Sequence, residues 1–431
     1  MIGQPEVLAM VLAGGEGSRL QPLTAGRSKP AVPFAGGTRI VDYVLSNLIN
    51  SHMYAIYLLV QYKSQSLIEH VHRSWTLSPV IPGHFVTIVP PQMREGPEWF
   101  QGTADAIYQN LNLIEQHNPD VVAVFGADHV YRMDVRQMLA FHRERRADVT
   151  VAALPVPVEQ ASAFGIIGTG KDGRIREFLE KPEQAPEMPG RPGFAFASMG
   201  NYLFDRQVLQ SALEEARDLG ETDFGRHVLP RLVGTRRLYA YDFKTNAVPG
   251  VNAYEEAGYW RDVGTLDAYF AAHQDLLGAE PRFDAFNPHW PIQSGSYIGP
   301  VARIIGGTIE NSMIASGSRI EGAVVRNSVL RYEVRIDPGA VVEDCVIMDD
   351  VHVKRGAKLR RVIVDRYNTI EADERIGYDA DADARRYTVS PGGIVVVPRA
   401  QSGGVPFSPV FAPRAVDPPR AVDPNRPALL Q

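Results

Sequence analysis

Two successive patterns in the chain predict an α/β domain with a mainly parallel sheet, followed by a β-helix of hexapeptide repeats. From Val7 to about Leu277, short apolar runs alternate with amphipathic segments, as strands alternate with covering helices. From Ile298 to Ile376, aliphatic residues recur every six positions, with glycines and turn formers between them. The first apolar run, Val7–Ala13, closes in a glycine cluster, placing a polar turn where parallel sheets gather ligands.

In the first part the expected strands include Ala55–Val60, Val121–Phe125, Val149–Leu154 and Gly200–Phe204. The expected helices are Ile40–Ile49, Ala104–His117, Val135–Arg145 and Thr265–Leu277. The domain is placed at 1–280, and Pro281–Ser296, rich in Pro, Asn and Trp, reads as a linker. The repeat domain spans 297–397. Its rhythm runs Ile298, Ile304; Ile314, Ile320; Leu330, Ile336, Val342; Ile347, Val353, Leu359; Val364, Ile370, Ile376. Ile320 to Val325 and Leu359 to Val364 are steps of five, so the repeat is imperfect. A β-sandwich would show period-two alternation instead. The remainder, 398–431, is rich in proline and repeats Pro-Arg-Ala-Val-Asp-Pro, a composition that predicts a disordered tail.

A chain of 431 residues can bury large cores, and its net charge of −6 argues against nucleic acid as a partner. No apolar stretch approaches the ~20 residues of a membrane span, and no basic segment precedes an apolar signal core. The single cysteine, Cys345, allows no intrachain disulfide. A cytoplasmic protein, not bound to membrane, is expected.

The glycine turn carries the first chemistry. Gly14, Gly15 and Gly17 let the backbone present bare N–H groups to an anion, and Arg19 and Lys29 add charge for a polyphosphate. It is no Walker loop, since Gly-Lys-Ser/Thr is absent, and the third small residue of the dinucleotide fingerprint is replaced by Leu20. An ordinary strand-to-helix turn would share the glycines but not the two spaced cations.

Four further segments stand out. In VVAVFGADHVY, Asp128 follows a buried run and suits a divalent cation bridging phosphates, or else an N-cap; His129 reads as structural. In YWRDVGT, Asp262 is a second lone carboxylate. Two such groups from distant segments suit an octahedral ion that keeps waters and substrate oxygens. In FLEKP, Lys181 fits a phosphate and Glu180 sugar hydroxyls, against the alternative of an exposed ion pair. GTADAI reads as a helix start with Thr103 near the cap and open N–H groups.

Together these strings resemble the sugar-1-phosphate nucleotidyltransferases, and within them the glucose-1-phosphate adenylyltransferases of actinobacterial type. The likeness runs from Val7 to Val397 and includes AGGEGSRLQPLT, RSKPAVPF, LSNLINS, GTADAI, FGADHVYRMD, ASAFG, FLEKP, ASMGNYLFD, YWRDVGTLDAY and LRRVIVDR. It implies a Rossmann-like domain, a left-handed β-helix and a homotetramer. It further implies Mg2+, ATP and glucose 1-phosphate as cofactor and substrates, ADP-glucose and pyrophosphate as products for α-glucan synthesis, and sugar-phosphate or nucleotide effectors. By the same resemblance, Gly14, Gly15, Gly17, Arg19, Gln101 and Gly102 match the ATP site, and Arg19, Lys29 and Asp128 the catalytic set. Asp128 and Asp262 match the metal ligands. Gly165, Glu180, Lys181, Ser198 and Asp262 match the glucose-1-phosphate site. Arg27, Arg361 and Arg386 match basic positions linked to effectors, though arginines outside a β-helix are equally readable as solvated or subunit-bridging.

Three departures fall where the family handles activators or ATP: Gly26 for a lysine, Met93 within a Gln-Gln-Arg string, and Phe100 for a tyrosine. Three rival activities stay in view. One is a pyrophosphorylase for another nucleotide or sugar, another a silent regulatory subunit. The third is a hexapeptide acyltransferase, for which only His352 stands in the coils.

Overall fold

The computed structural model describes residues 7–77, 80–93 and 98–400. Arg94 and the expected tail from 401 onward lie outside the described residues.

Four apolar runs form the parallel heart of the first domain. β1 (Val7–Ala13), β2 (Ala55–Val60), β3 (Phe85–Val89) and β4 (Val121–Gly126) run parallel in the order β4-β1-β2-β3. β1, β2 and β4 are buried almost throughout, which explains why they read as continuous apolar segments. After β4 comes a short strand outside the main sheet, β5 (His129–Tyr131). The sheet then continues through β6 (Val149–Pro157), β7 (Gly165–Thr169), β8 (Ile175–Glu180) and β9 (Phe194–Asp205). β9 is long and antiparallel to β4, β6 and β7. β10 (Leu238–Asp242) lies parallel to β6, completing nine strands. β11 (Trp260–Asp262) pairs with β5 in a separate antiparallel ladder.

The helices are α1 (Ile40–Asn50), α2 (Thr103–Tyr108), α3 (Leu111–His117), α4 (Val135–Glu144) and α5 (Leu266–Gln274) among others. The expected single helix over 104–117 divides between α2 and α3. There the Asn110 amide donates to the Ala106 carbonyl at 2.8 Å, a local bond that competes with helix continuation. Segment 281–296 contains no helix or strand, yet it is strapped to α1. Trp290 Nε1 donates to Asn47 Oδ1 (3.2 Å) and Ser294 Oγ to Asp42 Oδ2 (2.8 Å).

The repeat domain is a β-helix of the left-handed hexapeptide type. Parallel registers stack Ile320, Ile336, Val353 and Ile370 on one side and Val325, Val342, Leu359 and Ile376 on the next. Leu330, Ile347, Val364 and Val397 form the third. Val353 follows Ile336 by 17 residues, and Ile370 follows Val353 by 17, so a coil is one short of three hexapeptides. The steps of five in the sequence are the missing residues: the coil from Ile320 to Ile336 spans 16 residues and the later ones 17. Corners repeat too: Asn311, Asn327, Asp344 and Arg361 all take positive φ (43 to 55°), which Asn and Asp tolerate best. Ile298 and Ile304 depart from the rhythm, being 76 % and 51 % exposed. Their coil is incomplete: the strand Arg303–Glu310 pairs only with Arg319–Arg326 among the described residues, and the apolar side chains beside it stay uncovered.

The two domains share one apolar seam containing Phe34, Tyr269, Phe270, Met348, Ile363 and Val396. Arg331 crosses it, donating through Nη1 to the carbonyls of Phe34, Ala35 and Thr38 (2.8, 2.8 and 2.9 Å) and through Nε to Asp349 (2.8 Å).

Candidate active site

The loop after β1 is shaped by Gly17, whose φ of +66° is left-handed. Its carbonyl accepts from Leu20 N (3.0 Å) and Thr24 Oγ1 (2.9 Å). A Cβ at this position would stand 3.0 Å from Lys29 Cβ, so the missing side chain also admits the lysine. Leu20 is buried below the loop while Arg19 stays exposed.

Lys29 Nζ donates to Asp262 Oδ1 at 2.7 Å and to Asp128 Oδ2 at 3.0 Å. Three segments far apart in sequence therefore meet at one ammonium. Burial disfavours its charge, but the two carboxylates outweigh burial and raise its pKa above the ordinary lysine value. For Asp128, burial opposes ionisation, yet His129 and Lys29 hold the carboxyl well below its usual range. The β5–β11 ladder sets Asp262 opposite His129 and so brings Asp128 alongside. Asp128 introduces a strand and not a helix, which removes the N-cap alternative.

The ring of His129 lies 4.8 Å from that of Trp260, and its Nδ1 is 3.5 Å from Asp128 Oδ1. Among the described residues, buried His129 Nδ1 and Trp260 Nε1 both lack a hydrogen-bond partner. Asp128, His129 and Asp262 offer ligand atoms within 4.8 Å of one another, a group that could hold a metal ion. Its carboxylate oxygens suit a hard divalent cation, and the histidine nitrogen is the softer donor.

Sequence reasoning missed Gly264. A Cβ there would lie 2.9 Å from Asp262 Oδ1 and 3.3 Å from Arg19 Nη2, so this glycine separates the carboxylate from the loop arginine. Its signal was a glycine two places after the candidate ligand Asp262.

A second polar group forms at the ends of β7 and β8. Glu180 pairs in register with Gly165, and a Cβ at Gly165 or at Gly225, also missed, would stand 3.0 Å from Glu180 Oε2. The two glycines make room for the carboxylate. Lys181 has a left-handed backbone (φ +49°) and an exposed ammonium 3.6 Å from Glu180 Oε1. Ser198, on β9, accepts from Gly200 N at 3.3 Å and lies near the buried Tyr202 hydroxyl, whose pKa burial raises.

The N-terminus of α2 corrects one expectation. Its N–H groups are not open: Ala104 N and Asp105 N donate to the Thr222 carbonyl at 2.9 and 3.1 Å. Thr103 Oγ1 donates to Asp223 Oδ2 and accepts from Phe224 N. Gly102 is required because a Cβ would collide with Thr222 O. Exposed Gln101 donates through its backbone to Asp105 Oδ2 (2.8 Å) and through its side chain to Trp99 O.

The three arginines matched to effector positions have separate partners. Arg27, 2 % exposed, pairs with Asp365; exposed Arg361 donates to Gly392 O (2.9 Å); exposed Arg386 donates to Glu374 Oε1 (2.5 Å). Gly26 is exposed, and a Cβ there would meet no atom within 4 Å. His352 is paired with Asp337 (2.9 Å).

A Gly-rich loop and a lysine-bridged aspartate pair at the strand ends of an α/β sheet define a nucleotidyltransferase, and the nucleotidyl transferase family model matches residues 8–278. The GlmU-like C-terminal hexapeptide family matches 302–397. Glucose-1-phosphate adenylyltransferase from Thermodesulfovibrio yellowstonii is 55 % identical over 397 residues, 92 % of this chain and 97 % of its own length. The enzymes of that name from Corynebacterium jeikeium and Mycolicibacterium smegmatis are each 48 % identical, over 92 % and 91 % of this chain and 98 % of their own lengths. The chain belongs to the glucose-1-phosphate adenylyltransferase family. Among the described residues, no helix is long and apolar enough to cross a membrane.

Proposed function

We propose that the chain transfers the adenylyl group of ATP to glucose 1-phosphate, giving ADP-glucose and pyrophosphate, at the site where Lys29 bridges Asp128 and Asp262. That bridge is the observation that carries the reading. The phosphate of glucose 1-phosphate has a second pKa near ~6 and is already nucleophilic at neutral pH. No side chain need remove a proton. The protein's task is to hold two anions together and meet the charge that grows on the transferring and leaving phosphates. Gly14, Gly15 and Gly17 offer backbone donors to the triphosphate, with Gln101 and Gly102 at its far side. Arg19 and Lys29 supply fixed positive charge. Glu180 and Ser198 face the sugar hydroxyls, Lys181 takes the sugar phosphate, and Gly165 leaves room for it. Asp128 and Asp262 would hold Mg2+, which polarises the phosphates when bound.

Direct in-line displacement follows, with no covalent enzyme intermediate. Pyrophosphate release across a grid of nucleoside triphosphates and hexose 1-phosphates tests the substrates: ATP with glucose 1-phosphate should lead. Preference for another pair, or trapping of a nucleotidylated side chain, overturns the reading. The same proposal includes a cytoplasmic homotetramer under sugar-phosphate or nucleotide effectors. Uncovered Ile304 and Ile305 on the first coil support self-association, which light scattering measures. Arg361 and Arg386 are the exposed candidate effector contacts. An anion reaches Arg27 only by displacing Asp365.

A further inference from the structure

We infer that Arg27 and Asp365 are positioning residues for Lys29, an interdomain ion pair that fixes where the active-site ammonium stands. The inference rests on the role of Lys29 given above. Arg27 Nη2 donates to Asp365 Oδ2 at 2.6 Å, and both side chains are 2 % exposed. Asp365 is itself held by the β-helix: its N–H donates to Val397 O (3.0 Å), and its Oδ1 accepts from Arg366 N (2.7 Å).

Only Ser28 separates Arg27 from Lys29, and the connection has little slack. Ser28 is extended (φ −69°, ψ 157°), and its N–H donates to Lys63 O at 3.3 Å. Ser28, Lys29, Pro30 and Ala31 are all buried, and Pro30 fixes its own φ. A shift of the Arg27 end therefore passes to Lys29 through one residue that cannot bend into solvent. The other arm of the site is fastened in the same way. Asp267, five residues beyond Asp262, accepts from Ser390 Oγ of the C-terminal segment at 2.5 Å.

Electrostatics explains why Asp365 must keep its charge. Buried Arg331 and Arg366 and half-buried Arg39 belong to the same group as Arg27, with half-buried Asp349 and buried Asp365 as its carboxylates. Burial first, and then these neighbouring arginines, draw the Arg39 guanidinium down to about 9. Without the Asp365 charge, four guanidiniums face one carboxylate, and Arg27 loses the partner that offsets its desolvation. It is then driven from its seat and carries residues 27–29 with it.

The test measures kcat, KM for each substrate and thermal midpoint in Asp365→Asn, Arg27→Ala, the double variant and Asp349→Asn. Asp349 pairs with Arg331 and not with Arg27 in the same seam, so it reports the structural loss of that seam. We expect Asp365→Asn and Arg27→Ala each to lower kcat by about 10- to 100-fold, the scale of an ångström-sized misplacement, with smaller KM changes. The double variant should be no worse than either single change. Asp349→Asn should lower the midpoint while keeping kcat within about twofold. Should Asp365→Asn not fold, Asp365→Glu keeps the charge, moves the carboxylate by one methylene, and should still lower kcat. Wild-type kcat in Asp365→Asn or Asp365→Glu, or an equal kcat loss in Asp349→Asn, overturns the inference. Lys29→Ala is measured alongside. If it alone loses turnover, the positioning role fails and the role of Lys29 stands; if it keeps turnover, the role of Lys29 fails.

Discussion

His129 and Asp262 stand opposite each other in a two-stranded ladder, and that register delivers Asp128 and Asp262 to one ammonium. The site is thus specified by strand pairing as much as by the residues themselves.

The bridge predicts the largest catalytic losses. Lys29→Met keeps most of the side-chain volume and removes the charge between two carboxylates. Turnover should fall by at least about 100-fold, and Asp262→Asn should do likewise. Pyrophosphate release measures both. Near-normal turnover in either variant removes that residue from the chemistry.

Gly264→Ala should be a catalytic lesion with little structural cost. The added methyl would stand 2.9 Å from Asp262 Oδ1 and 3.3 Å from Arg19 Nη2, so one of them must move. A roughly tenfold or larger fall in kcat is expected, with the unfolding midpoint changed by only a few degrees. An unchanged kcat would show that Arg19 and Asp262 need not keep this separation.

Acid should weaken the fold through His273. The ring is fully buried, with Nε2 accepting from Ala35 N (3.1 Å) and Nδ1 meeting Tyr269 O (2.9 Å), a neutral tautomer's bonding. Burial lowers its pKa from 6.5 to about 3. As pH falls, the unfolded chain protonates first, so the contribution is complete above 6.5 and lost progressively between 6.5 and 3. His273→Gln should flatten the stability–pH slope over pH 4–6 by up to about 1.4 kcal/mol per unit. Urea unfolding at stepped pH decides, and an identical slope in the variant refutes the assignment.

Arg331→Ala should damage the seam more than the site. The buried carbonyls of Phe34 and Ala35, the half-buried carbonyl of Thr38 and Asp349 lose their donor together. A loss of about 3–5 kcal/mol is expected, read by denaturant unfolding; a change below about 1 kcal/mol would mean water replaces the guanidinium.

The β-helix should be sensitive to charge order along its ladders. Arg326 sits in register between Glu310 and Glu343, 3.2 Å from each. Arg326→Glu would align three acids in adjacent coils. Destabilisation of about 1 kcal/mol, relieved by salt, is expected without loss of turnover. A salt-independent effect would point to packing instead.

Much of this molecule was legible because its signals are local. Buried strands announce themselves as apolar runs, the turn after β1 as glycines followed by spaced cations, and the coils as an aliphatic rhythm whose steps of five already recorded a turn shorter than three hexapeptides. What escaped depends on approach in space. Gly264 matters because of how near Arg19 comes, and the α2 terminus is closed by Thr222, more than a hundred residues downstream. Arg27 read as a basic position linked to effectors; its partner Asp365 lies 338 positions away.

That separation orders the protein in time. At roughly 5–20 residues per second of synthesis, Asp365 emerges roughly 20–70 s after Arg27. Val397, which holds Asp365 through a backbone bond, follows later still. Until the last coils form, Arg27 has neither Asp365 nor Met348 to meet, and a nascent chain cut short of them would hold Lys29, Asp128 and Asp262 yet lack the partner of Arg27.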